Sequence, residues 1–166
     1  MADDDALPFA VLGEPQGSGD ALPTEVLESP TGRRDLGDPA SARRVGEFHD
    51  GTYFLVEGDR RETVCLVRHE AAVHVVALCT PGFGQFRRPS IMTVLDRRHR
   101  RVSAVIVRDG YTSAVLKTRD SDIRVPIGRN VAFFSTQRAA HLEIRGAGRR
   151  TMTMAIPKMP SFPRRP

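Results

Sequence analysis

From Arg43 to Ile156 the chain is a succession of short segments in which every second residue is apolar. The two clearest are 140–145 and 151–156. Because successive side chains of a strand point to opposite faces, a period of two predicts β-strands with one buried and one solvated face. The intervening Gly146-Ala147-Gly148-Arg149 contains two glycines suited to a tight reversal. This region is therefore predicted to form a β-hairpin.

Eight further segments upstream have strand character. They are Tyr53 to Val56, Val64 to Val67, Val73 to Leu78, Ile91 to Leu95, Val102 to Val107, Tyr111 to Leu116, Ile123 to Ile127 and Val131 to Phe134. Turn-forming residues separate them, and Asp109-Gly110 is the strongest short hairpin signal. Pro126 cannot donate a ladder hydrogen bond, which predicts a sheet edge or a bulge at its strand.

The number and spacing of these segments predict an all-β fold, a small antiparallel sandwich or a partly open barrel. No helical stripe is long enough for the crossovers that a parallel sheet requires. The predicted organisation is a mostly unstructured arm (1–42), one all-β domain (43–156) and a basic Pro-rich tail (157–166), so the flanks are disordered or extended.

The arm differs from the rest of the chain in charge. Residues 1–42 carry nine acidic residues against Arg33 and Arg34, a local charge of −7, so the remainder carries +12 in a chain of net +5. Two interpretations stay open: the acidic arm lies over the basic domain, or it keeps the chain soluble.

An eight-residue pattern, Asp-Ala-Leu-Pro-x-x-Val-Leu, occurs at 5–12 and again at 20–27. In one interpretation each aspartate caps a short helical turn whose apolar residues hold the domain or a partner groove. The candidate contact residues are Leu7, Phe9, Leu22 and Val26. In the other interpretation the repetition is a chance match in a segment rich in alanine and leucine.

The tail has a proline at every third position, which suits an extended polyproline II helix with three residues per turn. Pro160, Pro163 and Arg165 have the form of a ligand for aromatic-lined Pro-recognition grooves. The alternative is a solvated basic tail without a partner.

Cys65 and Cys79 lie in two consecutive predicted strands. If the reversal between them centres near Ala72, the two cysteines face each other within disulfide reach. In a reducing compartment they would instead be small buried hydrophobic residues. Their spacing relative to the histidines does not match a zinc site, and no cofactor motif is present.

Arginines cluster at both ends of the predicted strand Ile91 to Leu95. The cluster comprises Arg87, Arg88, Arg97, Arg98, Arg100 and Arg101. Guanidinium groups suit phosphate oxygens, and the nearby Phe83 and Phe86 could stack on unpaired bases, which makes DNA or RNA a candidate partner. However, every basic residue except Lys117 and Lys158 is arginine, a bias that GC-rich coding gives to all proteins of a genome. A solvated turn is the competing interpretation.

An enzyme is the third alternative. The five histidines form no recognised pattern with a nucleophile, and no pair of carboxylates stands out as acid and base. A catalytic site assembled from residues far apart in the sequence would leave no such local pattern.

No apolar stretch is long enough to span a bilayer, and the first residues are acidic rather than signal-like, which predicts a cytoplasmic protein. Export is the alternative if the cysteines are bridged.

Five short motifs occur together in this chain: Val64-Cys65-Leu66-Val67 with the later Cys79, Val102 to Tyr111, Val125 to Val131, and in the arm Phe9 to Leu12 and Asp20 to Pro23. In these motifs the chain resembles a group of uncharacterised actinobacterial proteins. The chain departs from the group at Arg108, Tyr111 and Ala104, where proline, valine and glycine are usual. The resemblance implies a β-rich fold and no particular activity. Some members of the group are membrane-anchored and exported, which implies an oxidised cysteine pair.

These patterns together predict a non-catalytic interaction module that binds a protein partner through its flanks or through an exposed edge strand. Polyanion binding by the arginine cluster is the second hypothesis. The sequence does not identify the partner or the oligomeric state.

Overall fold

The structure, a computed structural model, describes residues 9–60, 62–71, 74–81, 88–135 and 139–157. In these residues the chain forms short helical elements and eleven strands. The helices are α1 (Ala10–Gly13), α2 (Thr24–Glu28) and α3 (Pro30–Asp35), followed by a 3-10 turn at Pro39–Ser41. The strands are β1 (Arg43–Phe48), β2 (Gly51–Glu57), β3 (Thr63–Glu70), β4 (His74–Pro81), β5 (Ser90–Leu95), β6 (Arg101–Ile106), β7 (Ser113–Thr118), β8 (Asp122–Gly128), β9 (Val131–Ser135), β10 (Ala139–Arg145) and β11 (Met152–Ala155).

Two antiparallel sheets contain all of these strands. One is a four-stranded meander in the order β1-β2-β3-β4, and the other has the order β11-β10-β7-β8-β9-β6-β5. The seven-stranded sheet curls into a half-barrel. The predicted all-β class, a sandwich or partly open barrel, is confirmed.

The sheets bury apolar side chains in three layers. The first layer lies between the sheets and includes Leu55 and Leu66 of the meander with Ile106 of the larger sheet. β6 is buried on both faces. Val105, which precedes Ile106 in this strand, lies on the opposite face and belongs to a second layer, which the curled sheet encloses. The third layer covers the outer face of the meander, at residues such as Val67.

Residues 9–42 supply the cover for that outer face, which differs from the expected mostly unstructured arm. Leu22, Val26 and Leu36 pack on the meander's outer face, while Phe9 and Val11 enter the layer between the sheets. The physical reason is that β2 and β3 are apolar on both faces, so one face needs a cover that the other sheet does not provide. Residues 9–12 of the first copy of the eight-residue pattern and Leu22 and Val26 of the second copy therefore contact opposite faces of the same sheet.

Polar anchors fix this segment in place. The buried guanidinium of Arg43 donates to the carbonyls of Glu14, Ala40 and Ala42, at 2.7 Å for its Nε bond to Glu14 and its Nη1 bond to Ala42. Asp20 accepts from the backbone N–H groups of Gly17 and Arg44, each at 2.7 Å. The expected capping role of Asp20 is wrong, because α2 begins after Pro23 without a side-chain cap.

Hairpin predictions succeeded where pairing is local. Gly146 to Arg149 joins β10 to β11, as predicted. The hairpin predicted at Asp109-Gly110 is wrong, since β6 pairs with β5 and β9, and β7 pairs with β8 and β10. The Asp109 carboxylate instead accepts from the Ala10 N–H and the Asn130 amide, each at 2.8 Å, so this turn anchors α1.

Pro126 lies in β8, the strand that connects the β7 side of the larger sheet to the β9 side. Asp122 to Pro126 pair with β7, whereas Ile127 and Gly128 pair with β9. Residues 122–126 therefore have a free side among the described strands, which is the edge-like position predicted for a proline.

Cys65 and Cys79 are directly opposite each other in the β3–β4 pair, and their sulfur atoms lie within disulfide distance. Cys65 is fully buried, whereas Cys79 is exposed.

Candidate binding groove

The arginine cluster predicted to bind polyanions is divided by the fold. Arg88 precedes β5 and Arg97 to Arg101 follow it, so the length of the strand, roughly 17 Å for its six residues, separates the two groups. Arg87 lies outside the described residues. The cluster therefore does not form one continuous patch in the described part of the chain.

Several of these arginines are already neutralised by buried carboxylates. Arg97 Nε lies 2.6 Å from Glu70 Oε1, and Arg100 Nε lies 2.7 Å from Asp96 Oδ2. Glu70 is also held by the buried Arg68, whose Nη1 is 2.7 Å from Glu70 Oε2. These pairs fix the β5–β6 turn against the end of β3, which is a structural role.

Asp96 organises the turn itself. Its carboxylate is fully buried and accepts from the N–H groups of Arg98 and Arg100 at 2.9 and 2.8 Å, as well as from the Arg100 guanidinium. Burial opposes its ionisation, but the Arg100 and Arg98 hydrogen bonds outweigh burial and hold the pKa of Asp96 below its ordinary value. The expected solvated turn is thus an ordered one.

The remaining members differ in access to solvent. Arg101 has two guanidinium nitrogens, Nε and Nη2, that are buried and without a hydrogen-bond partner among the described residues. Arg88 and Arg98 are exposed. Of the five described arginines of the cluster, only Arg88 lines the groove described below.

The candidate partner-binding residues of the arm are covered by the domain. Phe9 and Val26 have no exposed surface, and Leu22 is 8% exposed. In this conformation their side chains pack on their own sheets, and only Leu22 retains a small exposed surface. Leu7, Pro160, Pro163 and Arg165 lie outside the described residues, as do Phe83 and Phe86.

A groove of about 740 Å³ lies beside β11, the edge strand of the larger sheet. One wall is the chain from Arg150 to Ala155, and the other includes Arg88 and Pro89. Because Arg88 and Pro89 lead into β5, the strand at the opposite edge of the sheet, the groove lies where the two ends of the half-barrel approach each other. It is the open seam of an incompletely closed barrel.

The groove is basic. Arg88, Arg108 and Arg150 line it together with Tyr111, and its lining contains no Asp or Glu among the described residues. Unlike Arg97 and Arg100, these three arginines form no ion pair with any described carboxylate. Like charges held close together without counterions favour the binding of an anionic group.

Tyr111 packs beneath the arginines at the rim of the groove. Its ring is 7% exposed, with the guanidinium carbons of Arg108 and Arg149 at 5.9 and 5.8 Å from the ring centre. Its hydroxyl donates to the Arg150 carbonyl at 3.3 Å. These contacts hold the cations at the rim through cation–π attraction and restrict their conformations.

β11 presents an unpaired backbone edge to the groove. Its inner neighbour is β10, and no described strand pairs with its other side. Met152 and Met154 pack partly against the core inside the curl, while Thr151, Thr153 and Ala155 are exposed. A free edge of this kind is a template for an added strand.

Sequence reasoning named an exposed edge strand but not this groove. Arg108 and Arg150 are more than forty positions apart in the sequence, and only the curl of the sheet brings them together. The paired Arg149-Arg150 in the turn before β11 was the available local signal.

The described residues also contain one histidine beside a carboxylate. His49 Nδ1 lies 3.8 Å from Asp96 Oδ2, which is too long for a hydrogen bond. No group of three or more His, Cys, Asp or Glu residues in the described ranges is placed to hold a metal ion.

No protein-family model, curated protein or solved structure matches the chain. In the part of the chain that the structure describes, no helix has the length and apolar character needed to cross a membrane.

Proposed function

We propose that this protein is a non-catalytic interaction module that binds an extended acidic segment of a partner protein along β11. The observation that supports the proposal is the pairing of a free strand edge with three arginines that have no described counterion. The edge supplies backbone hydrogen bonds, and the arginines supply the preference for acidic side chains.

The dimensions of β11 define the ligand. Four residues at about 3.3 Å each give a paired length of about 13 Å, and side chains on one face of a strand recur roughly every 6.6 Å. An added strand with acidic residues at alternate positions would direct its carboxylates to the arginines. Its intervening apolar residues would face the side where Met152 and Met154 pack.

Polyanion binding is the second candidate function, because guanidinium groups also bind phosphates. Sequence-tolerant binding of single-stranded nucleic acids uses exposed aromatic faces on which bases stack. Tyr111, the aromatic residue that lines this groove, is 7% exposed and already covered by two arginines. The groove therefore favours an acidic peptide over a nucleic acid.

The test uses a fluorescent peptide of about six residues in which valine and glutamate alternate, titrated with the full-length protein. Replacing both Arg108 and Arg150 by glutamine should weaken binding roughly 5- to 30-fold, since each exposed charge pair contributes about 0.5–1 kcal/mol. The matched control, Arg119→Gln with Arg124→Gln, removes the same charge away from the groove and should change affinity less than about twofold.

A second experiment tests whether the peptide pairs with the backbone of β11. Two versions of the peptide are N-methylated at alternate residues, one on the odd and one on the even positions, which leaves the charges unchanged. Pairing with β11 requires only one edge of the peptide, so one version should bind as the parent does and the other should lose binding. Equal binding of both versions, or tighter binding of a single-stranded oligonucleotide than of the peptide, would contradict the proposal.

A further inference from the structure

A second cavity, of about 480 Å³, lies on the other sheet beside the cysteine pair. The exposed Cys79 forms part of its wall, together with Arg60, Asp59 and the ion pair of Arg34 with Asp35. The cavity thus places an exposed cysteine beside charged groups of both signs, of which Arg60 and Asp59 have no ion-pair partner among the described residues. A small thiol that carries amino and carboxylate groups matches this lining in size and charge.

The two cysteines differ in burial. Cys65 has no exposed surface and packs in the layer that contains Leu36, Val56 and Val67, whereas Cys79 is exposed. Both sulfur atoms lie near the Asp35 carbonyl oxygen, Cys65 at 3.5 Å and Cys79 at 3.9 Å, and an acceptor at the buried position suits a neutral S–H donor better than a thiolate. An external thiol can therefore reach Cys79 and not Cys65.

From this asymmetry we infer that the Cys65–Cys79 pair is a site of reversible thiol–disulfide exchange with a small charged thiol, which adds to Cys79. The incoming thiolate attacks Cys79 Sγ, so a new S–S bond forms between the thiol and Cys79 while the Cys65–Cys79 bond breaks. The electron pair of the broken bond goes to Cys65, which takes up the proton that the small thiol released on forming its thiolate and then donates its S–H to the Asp35 carbonyl.

The reverse reaction restores the starting state. Deprotonated Cys65 attacks Cys79 Sγ and expels the small thiol as a thiolate, so no net oxidation or reduction has occurred. Alternatively, a second thiol attacks the sulfur of the first, which releases the two thiols as their disulfide and leaves both cysteines reduced. Every electron in these steps comes from the small thiol, the one co-reactant required.

The surrounding fold allows exchange without unfolding. β3 and β4 pair in continuous register from Thr63 opposite Pro81 to Glu70 opposite His74, so the cysteines remain opposite each other when the bond opens. The segment over Cys65 has its own attachments: Gly37 N–H donates to the Glu57 carbonyl at 2.8 Å, and Asp59 N–H donates to the Asp35 carbonyl at 3.0 Å. Reclosure is therefore intramolecular and preorganised.

The experiment equilibrates the folded full-length protein with glutathione buffers of increasing reduced fraction, quenches with acid, and maps the adducts by mass spectrometry. We expect one glutathione adduct, on Cys79, with an unchanged circular dichroism spectrum. An adduct on Cys65, or no exchange until denaturant is added, would overturn the inference.

Two matched variants separate accessibility from bond chemistry. Cys65→Ser should accumulate a stable adduct on Cys79, because the residue that would expel the thiol is missing. Cys79→Ser should leave Cys65 unmodified in the folded state, and modification of Cys65 there at a similar rate would contradict the assignment. The wild-type adduct map decides the question even where a serine variant fails to fold.

Exchange rates with a charged and an uncharged thiol test whether the charged lining of the cavity selects its ligand. Arg60→Gln should slow exchange with glutathione severalfold and leave exchange with the uncharged 2-mercaptoethanol unchanged. An equal effect on both thiols would show that the cavity does not select for charge.

Discussion

Leu12 and Leu27 occupy the same place in the two copies of the eight-residue pattern, but only Leu12 is part of the core. Leu12 is 6% exposed and belongs to the layer between the sheets, whereas Leu27 is 36% exposed and lies outside the three buried layers. Replacing each by alanine is therefore a matched pair of perturbations that tests whether residues 9–42 belong to the folded body.

The structure sets the expected magnitudes. A buried Leu→Ala change costs about 2–5 kcal/mol, the sum of lost transfer free energy and the cavity left behind. Leu12 lies in a four-residue helix near one end of the described chain, where neighbours can partly collapse, so the lower half of that range, about 2–3 kcal/mol, is expected. Leu27→Ala should cost less than about 1 kcal/mol, as for substitutions at partly exposed sites.

Urea unfolding followed by far-ultraviolet circular dichroism measures both free energies of unfolding, and the slope with denaturant should be the same for both variants. A small, equal loss for the two would refute the reasoning, because it would mean that residues 9–42 do not pack on the meander. A flexible arm that binds a partner would give that result, together with weaker partner binding by the Leu12 variant.

Two further predictions concern particular contacts. Asp96→Asn should cost about 2 kcal/mol at neutral pH, since a hydrogen-bonded buried charge is lost. Because the folded-state pKa of Asp96 is lowered, its contribution is present above about pH 4 and is lost as pH falls through the folded pKa, so wild type and variant should converge in acid unfolding curves. Gly146→Ala should cost more than about 2 kcal/mol in urea unfolding, because the added Cβ would lie 1.9 Å from the Gly110 carbonyl oxygen. Gly128→Ala, where nothing lies within 4 Å, is its control and should be near neutral.

The strand pattern was predictable because alternation is a local property. All ten predicted strand segments correspond to strands, and the hairpin at Gly146 to Arg149 pairs consecutive segments. β1 was not predicted as a strand: its sequence Arg43-Arg44-Val45-Gly46-Glu47-Phe48 has few apolar residues, and a register shift between Arg44 and Gly46 interrupts the alternation. Packing against Phe133 requires a glycine at position 46, because a Cβ there would lie 2.9 Å from the Phe133 ring.

The pairing order was beyond local patterns. Asp109-Gly110 has ideal turn chemistry, yet a turn signal does not specify which strands pair on either side of it. The arm illustrates the same limit, because its prolines and charges resemble those of a solvated segment. Val26 becomes a core residue only through the outer face of β2 and β3, some thirty or more positions later in the sequence.

Charge placement explains why the groove, rather than the rest of a basic domain, is available to an acidic partner. Glu14 pairs with Arg129 at 2.8 Å, and Asp20 lies 3.8 Å from the same guanidinium, so acidic residues of the described arm pair with a cation of the domain outside the groove. None of the arm's described residues lines the groove at β11. A second copy of the chain would bring the same positive surface against its own, which disfavours self-pairing at this edge. In the proposed mode of binding, the uncompensated arginines would therefore disfavour another identical strand, the commonest competitor for an exposed edge, and favour an acidic one.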